Sequence, residues 1–237
     1  MQVPNGILYL IPTTLGDNEP LEVLPLSVKK IIEATNHFIV ENEKTARRFI
    51  KKITPKKVQP LLELHVLNKY TQDQELPAFL EAIYQGKNVG LLSEAGCPGV
   101  ADPGSEIVKI AHEKGIRVVP LVGPSSILMA MMASGMNGQN FAFNGYLPID
   151  KDERKRAIKQ LEKRAIDLQQ SQAFIETPYR NDKLLADLIS TLSANTRLCV
   201  ACDITLATEY IRTLTISEWK KTSVNLHKRP TMFVIDK

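Results

Sequence analysis

Short apolar runs alternating with amphipathic segments predict an α/β fold for the first half of this 237-residue chain, with a mainly parallel sheet. A second observation extends this: after about residue 123 strand-like runs follow one another without helices between them, which predicts a mixed or antiparallel sheet in a second domain. A third is the placing of Gly/Pro-rich loops directly after the apolar runs, where open α/β sheets bind ligands. The expected domains are 1–121 and 122–237.

In the first domain "ILYLI" (7–11), "HFIV" (37–40), "VGLLS" (89–93) and "IRVVPLV" (116–122) read as buried strands. "PLSVKKIIEA" (25–34) sets Leu26, Ile31 and Ile32 near one face and reads as a helix. "ELPAFLEAIYQG" (75–86) and "GSEIVKIAHEKG" (104–115) behave likewise, each stopping at a C′-type glycine. In the second, 123–135, 150–170 and 180–192 read as helices. Runs 172–176, 197–202, 208–214 and 231–236 read as strands.

With 43% hydrophobic and 24% charged residues the composition is that of a globular protein and excludes disordered and fibrous classes. The net charge of +4 is compatible with an anionic partner without identifying one. Three cysteines, an odd number, fit a reducing, cytoplasmic setting. The start "MQVPNGILYL" lacks the charged region of a signal peptide, and "SILMAMMASGM" is too short to span a bilayer, so no membrane association is expected.

"GLLSEAGCPGVADPGSEI" (90–107) ends a buried run in glycines and prolines. It reads either as a preformed rim offering backbone groups to a ligand or as a tight strand-to-helix turn. In "PLVGPSS" (120–126), Ser125 and Ser126 could cap a helix or hold a ligand at its N-terminus. "IPTTLGDNEP" (11–20) matches neither the dinucleotide fingerprint nor the P-loop.

Taken in order, "GILYLIPTTLGD", "NVGLLSEAGCPGVADPGSEIV", "GIRVVPLVGPSS" and "FAFNGYLP" resemble the tetrapyrrole (corrin/porphyrin) methylase superfamily over nearly the whole chain. The resemblance is nearest to the branch that methylates a cytidine ribose 2′-hydroxyl in small-subunit ribosomal RNA. It implies a two-domain class III S-adenosylmethionine-dependent methyltransferase, with the cofactor in a cleft between the domains, and a homodimer. It also implies a cofactor site at Ser93, Ala95, Gly96, Cys97, Val100, Ala101, Asp102, Leu121, Ser125 and Ser126, and on the adenosine side at Glu176, Thr177, Leu206 and Pro230. The contacts expected there are mostly backbone, which leaves the Cys97 side chain incidental.

The branch's Glu-Asp-Thr-Arg signature is here Glu41, Asn42, Glu43 and Lys44, and its Glu-Gly-Phe-Leu-Pro-x-Lys runs from Asn144 to Asp150. Its Ala-Arg-Glu-Leu-Thr-Lys runs from Ala201 to Leu206. Lysine for arginine forfeits bidentate phosphate geometry, and two further basic positions are lost in the last segment. These changes fall on expected substrate positions while the glycine loops persist. The candidate catalytic residues are Glu41 and Asp203 as bases and Lys44 as an orienting cation; each could equally be a solvated charge or a helix-start carboxylate.

Arg47, Arg48, Tyr179 and Arg180 are the candidate substrate-binding residues. The run "RRFIKKITPKK" (47–57) reads as an RNA-facing stripe or as an amphipathic helix with a wet basic face. Cys199 and Cys202 point to opposite faces of a strand and read as core, leaving no zinc site and no metal expected. Met129, Met131, Met132 and Met136 read as packing a helix, at the domain or dimer interface as one option, and "HKRPT" (227–231) as a lid over adenine or a charged surface loop. The expected partner is ribosomal RNA or the small ribosomal subunit. The alternatives are methylation of a tetrapyrrole or other small molecule, and a non-catalytic cofactor- or RNA-binding relative.

Overall fold

The computed structural model describes residues 5–237, so the reading of the first four residues lies outside it. The chain divides into two compact units, residues 1–125 and 126–237.

The first unit carries β1 (Ile7–Ile11), α1 (Pro20–Val23), α2 (Leu26–Ala34), β2 (His37–Val40), α3 (Glu43–Ile53) and β3 (Glu63–Val66). It continues with α4 (Glu81–Tyr84), β4 (Val89–Leu92), α5 (Ser105–Glu113) and β5 (Arg117–Pro120). The strands form a parallel sheet in the order β3-β2-β4-β1-β5. Alternating side chains fill its two faces. Leu8, Ile39 and Leu91 pack with Leu80, Ile83, Ile107 and Ala111 on one side. Ile11, Phe38, Val40 and Leu92 pack with Val28, Ile32, Ala46 and Ile50 on the other. Full burial of each such side chain contributes about 1.5–3 kcal/mol.

The expected helix at 75–86 is instead a 3-10 segment, Leu76–Leu80, followed by the single turn α4. Pro77 supplies no backbone donor, and Leu80 leaves the helical region at φ −102°, ψ 0°.

The second unit carries α6 (Ser126–Ser134), β6 (Phe141–Tyr146), α7 (Lys151–Asp167), β7 (Ser171–Ile175) and α8 (Asn181–Thr191). After these come β8 (Arg197–Cys202), β9 (Tyr210–Thr215), α9 (Ile216–Trp219) and β10 (Thr231–Asp236). Its sheet runs β6-β7-β10-β8-β9; only the β6–β7 pair is parallel. Cys199 and Cys202 are fully buried, with Cys202 alone of the two in the core of Phe174, Leu188, Trp219 and Phe233. The opposite-face reading therefore holds. Of the four methionines expected to pack a helix, Met131 is buried but Met132 is 83% exposed.

Among the described residues no helix is long and apolar enough to cross a membrane, and no group of three or more His, Cys, Asp or Glu is placed to hold a metal ion.

Candidate functional site

Because the first sheet is parallel, Ile11, Val40, Leu92 and Pro120 end at one edge, and the loops after them meet there. The loop after β4 enters the left-handed region at Gly96 (φ 75°), Gly99 and Ala101 before Gly104 leads into α5. The left-handed φ favours glycine at Gly96, and a Cβ there would also lie 3.1 Å from Leu15 Cδ2, which would have to give a few tenths of an ångström.

Thr13 donates its backbone N–H to Gly96 O at 2.9 Å and its hydroxyl to Ser93 O. Ser93 Oγ, itself buried, donates to Gly96 O at 3.2 Å. The Cys97 thiol donates to Pro124 O, with Sγ 3.4 Å from the oxygen. The Cys97 side chain is thus not incidental, since it ties the loop after β4 to the loop after β5. Leu121 takes up the sheet pattern by donating its N–H to Leu10 O. The rim is a pinned scaffold from which Val100 projects, 51% exposed.

Beside the rim lies a cavity of about 390 Å³, bounded by the loop after β1, by α3 and by Ser93, Glu94 and Ala95. Asn42 starts α3, its Oδ1 accepting from Lys44 N at 2.9 Å and Thr45 N at 3.3 Å. The cap aims the first turns of α3 along the cavity, so Thr45, Arg48, Phe49 and Lys52 line it. Thr45 Oγ1 donates to the Glu94 carboxylate.

Three carboxylates gather at this edge: Glu41, Glu94 and Asp102. Burial, then Asp102 and Glu94, push the Glu41 carboxyl above the usual range. Burial and Glu94 do the same to Asp102. Glu41 Oε2 is buried with no hydrogen-bond partner. A partly dehydrated carboxylate with one free oxygen and a raised pKa is suited to accept a proton.

The basic stripe on α3 separates into two kinds. Arg47 donates to Glu43 at 2.8 Å and to Gln59 O at 2.7 Å. Lys51 donates to Pro55 O, and Lys52 to Asp17 and Asn18 O. Lys44 and Arg48, one turn apart and both exposed, have no side-chain partner among the described residues. Of the substrate candidates on α3, Arg48 is therefore the available cation and Arg47 a brace for the helix.

In the second unit the residues expected on the adenosine side also converge, because β7, β8 and β10 pair so that Ile175, Cys202 and Thr231 end together. Buried Glu176 accepts from Thr177 N at 2.7 Å and pairs with Arg180. Asp203 donates its N–H to Pro230 O, and Leu206 N reaches Asp203 O. Asp203 Oδ2 already accepts from Arg229 Nε at 2.7 Å and Thr208 Oγ1 at 2.8 Å. With two donors on one oxygen, one of them a guanidinium, Asp203 Oδ2 is engaged in anchoring its loop. Its backbone is left-handed (φ 51°), as is that of Thr205 (φ 76°), so the ion pair holds a strained loop. Ser126 opens α6.

Glu94, Thr13, Thr45 and Phe49 were not among the expected site residues. The signal for Glu94 was its place inside the glycine loop, and that for the cavity wall from 13 to 17 was the "PTTLGD" segment after the first apolar strand.

A parallel five-stranded sheet with a glycine-rich rim, followed by a mixed sheet, defines the class. The family model for tetrapyrrole (corrin/porphyrin) methylases matches residues 8–220, and the chain belongs to that family. Among curated relatives, ribosomal RNA small subunit methyltransferase I of Bacillus subtilis (strain 168) is 32% identical over 213 residues, 90% of this chain and 68% of the relative. The protein of the same name from Escherichia coli O157:H7 is 26% identical over 234 residues, 98% of this chain and 78% of the relative. Among solved structures, the methyltransferase CobJ superposes with a TM-score of 0.64 at 16% identity, covering 98% of this chain and 94% of that one. The cobalt precorrin-4 methyltransferase CbiF gives 0.60 at 15%, covering 97% and 94%. These two likenesses show the shared α/β fold.

Proposed function

We propose that the chain is an S-adenosylmethionine-dependent methyltransferase acting on small-subunit ribosomal RNA, at the ribose 2′-hydroxyl of a cytidine. The observation that carries this is the similarity, across nine-tenths or more of the chain, to proteins named ribosomal RNA small subunit methyltransferase I.

The residues present fit the cofactor. The acidic edge formed by Glu41, Glu94 and Asp102 suits a ligand bearing sulfonium and ammonium charges. Gly99 and Ala101, with left-handed backbone in the less buried part of the rim, can offer main-chain groups to its polar end. Ser93, Ala95, Gly96, Cys97, Val100, Ala101, Asp102, Leu121, Ser125, Ser126, Glu176, Thr177, Leu206 and Pro230 are the residues proposed to hold it. When bound, S-adenosylmethionine supplies a methyl group already activated for displacement by its positive sulfur.

What remains for the chain is to align the acceptor oxygen, exclude water and remove one proton. Glu41 Oε2 takes the hydroxyl proton as the oxygen attacks. Arg48 and Lys44 hold flanking phosphates, and the cavity along α3 receives part of the acceptor nucleotide. The proposal includes a cytoplasmic homodimer, which sedimentation of the purified chain tests.

Transfer of labelled methyl from S-adenosylmethionine to small ribosomal subunits tests the function. Label in ribosomal RNA supports it. Label appearing only in a small-molecule extract would assign a tetrapyrrole or other small acceptor instead.

A further inference from the structure

Tyr179 is 70% exposed, yet the backbone that carries it is held on every side. Arg180 N donates to Thr177 O and Lys228 N to Pro178 O, both at 2.9 Å. Asn181 Nδ2 donates to Arg229 O at 2.7 Å, and Leu226 N to Asp182 Oδ1 at 2.8 Å. The 225–230 loop is thereby fastened to the turn before α8. Around the exposed ring the fastened loop sets two side chains. His227 meets it edge-on, with centroids 6.0 Å apart and planes at 79°. The Lys228 ammonium stands 5.9 Å from the ring centroid. Lys228 has left-handed backbone (φ 60°), a conformation that costs a non-glycine residue energy and persists only where its surroundings enforce it.

A single exposed aromatic residue is ordinary on a protein surface. An aromatic ring fixed on rigid backbone, with a cation over one face and an imidazole at an edge-on angle to it, is the arrangement that single-stranded nucleic acid uses: a base stacks on the opposite face and the cation takes the neighbouring phosphate. Preorganisation removes the ordering cost that a flexible loop would bring to binding. We propose that Tyr179, His227 and Lys228 form a stacking platform for an unpaired base of the RNA substrate. The proposal rests on the reading of the chain as an RNA methyltransferase, and it gives the second unit a substrate contact of its own.

The test measures binding to small-subunit ribosomal RNA from cells lacking this chain, at several salt concentrations, for the intact chain and for Tyr179→Phe, Tyr179→Ala and Lys228→Ala. Cofactor affinity is measured in parallel by calorimetry, and folding by circular dichroism. Tyr179→Phe should stay within about two-fold of the parent, because the π-face is kept. Tyr179→Ala should weaken RNA binding about ten-fold or more with the salt slope unchanged. Lys228→Ala should weaken it with the salt slope lower by about 0.7, one phosphate's share on a single strand. All three should keep the parent's cofactor affinity. Parent-like RNA binding by folded Tyr179→Ala would overturn the platform while leaving the RNA reading intact. A loss of cofactor affinity in Tyr179→Ala would set the ring against the cofactor and overturn it too. Absence of RNA binding by the parent would refute the RNA reading first, and the platform with it.

Discussion

The Cys97 thiol donates to the carbonyl of Pro124, joining the loops after β4 and β5, with Sγ 3.4 Å from the oxygen. Burial raises the thiol's pKa, so it stays protonated at neutral pH and keeps its donor. Cys97→Ser should preserve the tie and the cofactor affinity to within a few-fold. Cys97→Asp sets a carboxylate against a carbonyl oxygen and should lower cofactor affinity more than Cys97→Ala does. Calorimetric titration of the three variants with S-adenosylmethionine checks the order.

Gly96→Ala places a methyl group in left-handed backbone and against Leu15 and the Pro124 carbonyl. The conformational term alone costs about 1–2 kcal/mol. The loop should shift rather than the fold collapse. Cofactor affinity should fall at least ten-fold or so while the melting temperature drops only a few degrees.

Glu41 sets a pH dependence whose sign follows from its raised pKa. As the proposed base, Glu41 works deprotonated, so the rate should climb with pH along a limb displaced above the ordinary carboxylate range, and Glu41→Gln should lose that limb with most of the turnover. Folded Glu41 holds its proton more tightly than unfolded Glu41. Its contribution to stability is therefore fully present below the unfolded pKa and is lost as pH rises through the folded one. Glu41→Gln should thus melt higher than the parent at neutral pH, and the difference should vanish in acid. Melting curves across pH and a pH–rate profile check both halves.

Arg48 and Arg47 should separate in RNA binding. Arg48→Ala removes a free cation and should lower the salt slope of RNA binding by about 0.7–0.9. Arg47→Ala removes a brace to Glu43 and Gln59, and should cost about 0.5 kcal/mol of stability with little change in that slope. Salt-titrated binding and denaturant melts distinguish them.

The second unit is tested by its buried ion pair. Arg154 reaches Asp187 Oδ2 through Nη2 at 2.6 Å and Nε at 2.9 Å, with the Arg154 side chain 3% exposed. Asp187→Ala leaves a guanidinium buried without its partner and should destabilise by about 3–5 kcal/mol. The paired replacement Arg154→Met with Asp187→Leu should cost much less. Urea unfolding of each variant checks the difference.

Much of this was legible in the sequence where burial left a periodic signal. β2, β8 and β10 fall at their expected residues because both faces are covered and the apolar runs are continuous. β3 and β6 carried no strand signal: they are sheet edges, and "ELHV" and "FAFNGY" are only partly buried. The backbone rim at Gly96 and Gly99 was readable because only glycine relieves left-handed strain cheaply. What sequence could not order was the competition among charges. Arg47 and Arg48 are adjacent and alike in one dimension, and only the turn of α3 gives one a partner and leaves the other free. Nor could sequence show that Asp203 Oδ2 is taken by Arg229, twenty-six residues on.

Mapping 2′-O-methylation in small-subunit ribosomal RNA from cells lacking this chain, before and after treatment with the purified chain and S-adenosylmethionine, decides whether the chain is an RNA methyltransferase. One cytidine should lack the modification and regain it on treatment. A methylation map identical to that of unaltered cells, with no methyl accepted on treatment, would contradict it.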